Sequence, residues 1–83
     1  MRKGAYLMNS NGIPSRETVE RVRKMYPIGC RVELISMDDS YSSLTPGTRG
    51  TVRSVDDTGT VFVRWDNGSG LGVVYGVDRI RKL

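Results

Sequence analysis

Three aromatic residues and two acids are the side chains of this sequence best suited to hold another molecule. They are Tyr41, Trp65 and Tyr75, with the neighbouring pair Asp38 and Asp39. Aromatic side chains with a polar tip bury a large area at a small entropic cost, and carboxylates can pair with a basic ligand residue. This set predicts a shallow groove that binds a protein or peptide. Two structural alternatives remain open: Trp65 as the main buried ring of a small core, and the tyrosines as core or loop anchors.

A second set of candidate residues is basic. It is divided between the N-terminal part of the chain and the β-rich part, and consists of Arg16, Arg21, Arg23, Lys24, Arg49, Arg53 and Arg64. Arginine and lysine side chains contact phosphates, so these residues predict nucleic-acid binding as an alternative function. A solvated helix face is the competing interpretation of the first four, because Arg21 and Lys24 each follow a glutamate by four residues.

The distribution of charge bears on that alternative. The chain of 83 residues has a net charge of +4. Residues 1–26 carry six basic and two acidic side chains, whereas residues 27–83 carry seven of each. The positive excess is therefore expected on the N-terminal arm and helix. No strongly basic face is expected on the β-rich part, where aspartates adjoin the arginines.

Neither catalysis nor metal binding is predicted. The acids Asp56, Asp57 and Asp66 all lie beside turn residues, where aspartate accepts hydrogen bonds from nearby backbone amides. The chain has no histidine, and its single cysteine, Cys30, is expected to be a small buried hydrophobe. We therefore expect a non-enzymatic protein with no catalytic residues, no metal and no cofactor.

No apolar run approaches the roughly 20 residues that a membrane-spanning helix needs, and no signal-peptide core follows Arg2-Lys3. This observation predicts a cytoplasmic protein without a membrane partner. The oligomeric state and the identity of the partner stay open, since an exposed strand edge would also allow homo-oligomerisation.

A short helix is predicted ahead of a β-rich domain. Ser15 stands where an N-cap is expected, and the proline after Tyr26 ends the helix. The segment before the helix is polar and lacks either hydrophobic period, which predicts a flexible or irregular arm. The predicted boundaries are an arm over 1–14 and a single domain over 15–83, with a helix over 15–26 and a barrel over 28–83.

Five short strands are predicted after the helix. Turn residues separate the β-rich runs at the spacing of a tight meander, most clearly at Asn67-Gly68. Val52 and Val55 do not share a period-two face, which predicts a bulge near Ser54. Five strands, a long first loop and two tight hairpins predict a mainly β fold, a small five-stranded SH3-like barrel.

The apolar pattern also predicts where the helix packs. Phe62 and Val74 face away from the other apolar side chains of their strands under period two. The helix carries an apolar stripe of Val19, Val22 and Tyr26 that needs a surface. We therefore expect the helix to pack over Phe62 and Val74 on the outside of the barrel.

Several short motifs follow one another in a fixed order through the β-rich part. They are Tyr26-Pro27-Ile28-Gly29, Arg31-Val32-Glu33-Leu34, Met37-Asp38-Asp39, Pro46-Gly47, Gly50-Thr51-Val52, Val55-Asp56-Asp57-Thr58-Gly59-Thr60, Trp65-Asp66-Asn67-Gly68-Ser69 and Gly76-Val77-Asp78. In their order and spacing the chain resembles a family of small bacterial and mobile-element domains catalogued as domain of unknown function 4314. Ser40 departs from the family pattern, in which proline is expected after Met-Asp-Asp. The resemblance implies a prokaryotic or phage setting and a compact β-barrel, and it implies no activity.

The sequence thus predicts a non-enzymatic protein- or peptide-binding module, with nucleic-acid binding as the alternative. The two functions differ in their response to salt. Phosphate contacts weaken steeply as salt rises, whereas a groove anchored by Trp65 should change little.

Overall fold

The computed structural model describes residues 14–38 and 44–83, and it contains one helix followed by five strands. The predicted class, a mainly β fold of five strands preceded by one short helix, is confirmed. Of the predicted arm, all but the buried Pro14 lies outside the described residues. The elements are α1 (Arg16–Met25), β1 (Arg31–Ser36), β2 (Arg49–Val55), β3 (Val61–Trp65), β4 (Gly72–Val73) and β5 (Arg79–Lys82).

The ends of α1 follow from its sequence. The side-chain oxygen of Ser15 accepts a hydrogen bond from the Thr18 amide at 3.2 Å, which satisfies one of the free N–H groups of the first turn. Tyr26 is the C-cap, and the proline after it cannot continue the helix. Both predicted ends are the observed ones, and Val19 and Val22 are the buried residues of the helix.

The strands form one antiparallel sheet in the order β4-β3-β2-β1-β5. The first four strands pair as a meander, and β5 returns to pair with β1. Within residues 14–38 and 44–83 no backbone pairing joins β4 to β5, so the sheet is open between its edge strands. The strand order is compatible with an SH3-like barrel, but the strand pairing does not show the closure that we expected.

The predicted bulge lies in β2. Val52 pairs with Val63, and the next pair is Ser54 with Phe62, so β2 has one more residue than β3 between these positions. The extra residue is Arg53, which is exposed. Because the bulge takes up this residue, the strand returns to its register and β2 keeps its valines on the inner side.

The inner face of the sheet forms the core. Along β3 every second side chain, namely Val61, Val63 and Trp65, is at most 2% exposed. Burying an aliphatic side chain of this size is worth about 1.5–3 kcal/mol. Cys30 is half-buried against the core. The core consists of Val22, Val32, Leu34, Leu44, Val52, Val61, Val63, Trp65 and Val73.

The helix packs on the inner side of the sheet, and our prediction that it covers Phe62 and Val74 from outside is wrong. Val22 is 1% exposed and belongs to the core, whereas Phe62 is 38% exposed on the opposite side of β3. The reason is the open sheet. The inner valines Val61 and Val73, at the edge formed by β3 and β4, need an apolar cover, and the stripe on α1 supplies it.

One buried acid connects the end of β1 to the segment before β5. Asp78 is 5% exposed, and its two carboxylate oxygens accept hydrogen bonds from the backbone amides of Asp38 and Val74, each at 2.9 Å. A buried carboxylate is costly unless its oxygens are satisfied in this way. Asp78 therefore fixes the position at which the long first loop leaves the sheet.

Candidate functional site

Trp65, the central residue of the predicted aromatic groove, is part of the core. Its side chain is 1% exposed, and its indole N–H donates a hydrogen bond to the carbonyl oxygen of Leu71 at 2.9 Å. The indole thus has both its apolar and its polar requirements met inside the protein. This arrangement decides between the two interpretations of Trp65 in favour of the core, and the ring has no surface left for a partner.

The remaining members of that set are separated. Asp38 is exposed just after β1, and its backbone amide donates a hydrogen bond to the Asp78 carboxylate. Tyr75 is half-buried and lines a depression of ≈ 310 Å³ between α1 and the open edge of the sheet, together with Met25 and Tyr26. Asp39 and Tyr41 lie outside the described residues. The predicted groove is therefore not assembled from the side chains that the structure describes.

Tyr26, which also lines this depression, joins two elements of the fold. Its hydroxyl donates a hydrogen bond to the carbonyl oxygen of Ile80 at 3.4 Å, which ties the end of α1 to β5. Burial, with smaller contributions from Cys30 and Tyr75, raises the pKa of Tyr26. The phenol is thus held in its neutral form, as a structural hydrogen-bond donor.

The predicted basic residues of the sheet lie on its outer face. Arg64 points outward because it alternates with the buried Val63 and Trp65. Arg64 pairs with Thr51 on β2, and Thr51 pairs with Arg31 on β1, so these three residues form a row across three strands. The Arg31 guanidinium reaches back along this row and donates to the Thr51 hydroxyl at 3.1 Å.

A second row lies beside the first. Glu33 pairs with Arg49 on β2 and with Arg81 on β5. Its Oε1 atom is 3.4 Å from Arg49 Nε and 3.0 Å from Arg81 Nη2. The hydrogen bond from Arg81 and the positive charges of both arginines lower the pKa of Glu33. One carboxylate therefore holds two guanidinium groups on either side of β1.

Asp66 lies beside Arg49 at the end of the second row, and it connects this row to Arg31 of the first. It follows β3 directly, and its two carboxylate oxygens accept hydrogen bonds from the two terminal nitrogens of Arg31, at 2.8 and 2.6 Å. This hydrogen bonding lowers the pKa of Asp66 and raises the pKa of Arg31. The turn position of Asp66, which we interpreted as local, thus also serves a long-range ion pair.

The bulge completes this outer surface. Arg53 and Ser54 lie opposite Phe62, and all three side chains are exposed. The surface contains five guanidinium groups and two carboxylates, a net charge of +3. We call it the outer-face arginine patch and define it by Arg31, Arg49, Arg53, Arg64 and Arg81.

Sequence reasoning found three members of this patch and missed Arg31 and Arg81. The charge count of residues 27–83 is neutral, but the structure separates its signs: Asp56 and Asp57 lie at the turn between β2 and β3, and Asp78 is buried. The missing signal was the pairing of β1 with β5, which joins residues far apart in the sequence. With that pairing known, period two alone would have placed Arg81 next to Glu33.

The predicted basic residues of α1 divide into two kinds. Arg23 is structural, because its guanidinium donates to the carbonyl oxygen of Val55 at 3.1 Å through Nη2 and forms an ion pair with Asp57 at 3.0 Å. It fastens the helix to the hairpin of β2 and β3. Arg16, Arg21 and Lys24 are exposed on the helix surface.

The described residues contain no group of three or more histidine, cysteine or acidic side chains that could hold a metal ion. The helix that the structure describes, α1, does not have the length and apolar character needed to cross a membrane.

No curated protein matches the sequence. The family model described as Domain of unknown function (DUF4314) matches residues 15–83, which run from the N-cap of α1 through β5 to the last residue. The sequence resemblance to this family is therefore confirmed, and the chain belongs to the DUF4314 family of domains of unknown function.

Proposed function

We propose that this chain is a non-enzymatic nucleic-acid-binding module that contacts phosphate groups with its outer-face arginine patch. The observation that carries the proposal is the concentration of five guanidinium groups on one exposed sheet face, against two carboxylates. A row of backbone phosphates is complementary to such a face in both charge and extent. The sequence favoured peptide binding over nucleic-acid binding. The proposal reverses this order, because Trp65, the central residue of the predicted aromatic groove, is buried in the core.

Arg53 and Arg64 are the members of the patch most available to a ligand. Both side chains are exposed, and neither forms an ion pair with another residue of the described ranges. A guanidinium group presents parallel N–H donors that match two oxygens of a phosphate, which makes arginine better suited than lysine to this contact. These two side chains therefore carry most of the expected affinity.

The other three arginines are oriented by Asp66 and Glu33. Their ion pairs lie at the surface, where such a pair is worth about 0–1 kcal/mol. A phosphate group can replace the carboxylate at this small cost, since it offers the same bidentate geometry and its own charge. The acids thus hold Arg31, Arg49 and Arg81 above the sheet until a ligand arrives.

Two matched double variants test the proposal. Arg53→Ser/Arg64→Ser removes two charges from the patch, and Arg16→Ser/Arg21→Ser removes two from the exposed surface of α1. Binding of labelled DNA and RNA oligonucleotides is measured by fluorescence anisotropy at about 50 and 200 mM salt, the range in which phosphate contacts weaken steeply. We expect the patch variant to lose at least about tenfold in affinity, and the helix variant to lose less than about threefold.

The slope of affinity against salt gives a second measure. Removing two phosphate contacts should reduce the slope of log K against log salt by about 1.4 to 1.8, depending on whether the nucleic acid is single- or double-stranded. No binding by the wild-type protein at the lower salt would contradict the proposal. An equal loss in both variants would also contradict it, because binding would then follow total charge. Thermal unfolding of each variant controls for loss of the fold.

Protein or peptide binding keeps one supporting observation. The depression beside Tyr75 is mainly apolar at its base, and Met25 is 42% exposed at its side. An extended peptide could bury these side chains. Peptides selected from a displayed library would support this second function if Tyr75→Ala abolished their binding and Arg53→Ser/Arg64→Ser did not.

The setting of the proposed function follows from the family resemblance. We propose a bacterial or mobile-element setting, in which the domain would meet nucleic acid in the cytoplasm, the location predicted from the sequence. A non-enzymatic accessory role, in which the domain holds a strand for another protein, agrees with this setting and with the small size of the chain.

A further inference from the structure

We infer that Phe62 is a stacking platform for a nucleobase, so that the outer-face arginine patch takes single-stranded nucleic acid in preference to duplex. The inference rests on the proposed function and specifies its ligand. It starts from two large apolar side chains that are exposed on the described outer face, Ile35 on β1 at 40% and Phe62 on β3 at 38%, of which Phe62 is aromatic.

The neighbours of Phe62 are the two arginines most available to phosphate. Arg64 lies two residues further along β3, on the same face. Arg53 lies in the bulge opposite Phe62. Phe62 is therefore a neighbour of both arginines, of Arg64 along β3 and of Arg53 across to β2, so a base of a strand whose phosphates contact these arginines has the ring within reach.

The ring is held in place from the other side by a glycine. Phe62 pairs with Gly72 on β4. A Cβ atom at Gly72 would lie 3.2 Å from Cε1 and 3.3 Å from Cδ1 of the ring, closer than an ordinary van der Waals contact. The ring thus lies against the backbone at Gly72, on the β4 side of β3, while part of its surface stays open to solvent.

An exposed aromatic ring beside phosphate-binding side chains is the arrangement by which many proteins hold single strands. A base of any identity can stack on such a ring, because every base has a π-face. In a duplex these faces are already covered by neighbouring base pairs, so the ring gives no advantage there. The inference therefore predicts a preference for single strands without strong dependence on sequence.

The competing explanation is structural: Phe62 would serve only to cover Gly72. Two variants separate the explanations. Phe62→Leu keeps an apolar side chain over Gly72 but removes the π-face, and Phe62→Tyr keeps the ring. Affinity is measured by anisotropy at about 50 mM salt for a single strand of about 12 nucleotides, within the usual site size, and for a duplex of the same length.

We expect Phe62→Leu to bind the single strand about tenfold more weakly than wild type, to bind the duplex unchanged, and to keep its unfolding temperature. Phe62→Tyr should retain wild-type affinity for both ligands. Unchanged binding of the single strand by Phe62→Leu overturns the inference, and so does an equal loss for both ligands.

The same measurements distinguish this inference from the proposed function. If Arg53→Ser/Arg64→Ser loses affinity for both ligands while Phe62→Leu changes nothing, the phosphate-binding function stands and the stacking role fails. If neither variant changes affinity, both fail. A poly-glutamate peptide of matched charge serves as competitor. Equal competition by this peptide would show that the patch binds any polyanion, and would overturn the specificity for single strands.

Discussion

The two faces of β3 differ in burial at every residue of the strand. Val61, Val63 and Trp65 point inward and are at most 2% exposed, whereas Phe62 and Arg64 point outward and are exposed. A step of one residue therefore moves a side chain from the core to the solvent. The difference teaches that the inner face holds the fold together, while the outer face is free to serve a ligand.

The contrast extends to charge. Among the described residues, the inner side carries one buried acid, Asp78, whose carboxylate oxygens accept hydrogen bonds from backbone amides. The outer side carries five arginines whose few ion pairs lie at the surface. Charge on the inner side must be satisfied within the protein, and charge on the outer side stays in contact with solvent.

The largest expected effect is on the inner face, at Trp65. Trp65→Ala removes the largest buried side chain and its hydrogen bond to Leu71, which should cost about 3–5 kcal/mol in the free energy of unfolding. A domain of this size has only about 5–15 kcal/mol in total, so the variant should be close to unfolding at room temperature. Urea denaturation followed by circular dichroism measures the difference.

The matched control for Trp65→Ala is Arg64→Ala, the adjacent residue on the opposite face. Its free energy of unfolding should stay within about 0.5 kcal/mol of wild type, as for most surface substitutions. A comparable loss in the two variants would contradict the division of labour between the faces.

A smaller effect is expected at Asp78, where the inner side contains a charge. Asp78→Ala leaves the amides of Asp38 and Val74 without their acceptors, at about 1–3 kcal/mol for each donor that stays buried. Asp78→Asn keeps one acceptor oxygen and should lose less. Thermal unfolding of the pair tests the ranking. If the alanine variant were as stable as the asparagine variant, the carboxylate would not be needed as a double acceptor.

The smallest loss of stability is expected at the hairpin between β2 and β3, in a variant of Asp56. One carboxylate oxygen of Asp56 accepts hydrogen bonds from the Thr58 amide at 2.9 Å, the Thr58 hydroxyl at 2.6 Å and the Thr60 amide at 3.0 Å. Burial raises the pKa of Asp56, but these hydrogen bonds outweigh it and lower the pKa overall. Asp56→Ala should therefore cost about 1 kcal/mol at neutral pH.

The sign of the pH dependence at Asp56 follows from that lowered pKa. A carboxyl with a lower pKa in the folded state contributes stability above its unfolded pKa of about 3.9, and it loses this contribution as pH falls through the folded pKa. The difference in stability between wild type and Asp56→Ala should thus be constant from pH 7 to about 5 and shrink below about pH 4. A difference that grew on acidification would contradict this assignment.

Much of the fold could be predicted because its signals are local. The helix caps Ser15 and Tyr26 are predicted by the capping side chain of Ser15 and by the proline after Tyr26. The bulge near Ser54 is likewise predicted by the spacing of nearby valines. The burial of Trp65 was also within reach, since it shares a period-two face with Val61 and Val63. Its size and polar tip suggested a binding role that this alternation argues against.

The candidate site could be predicted only in part because it depends on non-local pairing. Arg81 joins the patch through the pairing of β5 with β1, and Arg31 joins it through its ion pair with Asp66 after β3. No local pattern contains this information. The side on which α1 packs is likewise decided by where the sheet is open. The roles of Asp39 and Tyr41 stay predictions.

The bulge in β2 has a consequence for how this surface can evolve. Inserting a residue into a strand normally turns every later side chain to the opposite face and so ruins the core. Here the extra residue, Arg53, is taken up locally, and Val52 and Val55 both remain on the inner side. The strand thus carries an additional surface cation without displacing an inner-face residue. A substitution at this position can therefore change the chemistry of the outer face while the core stays unaltered.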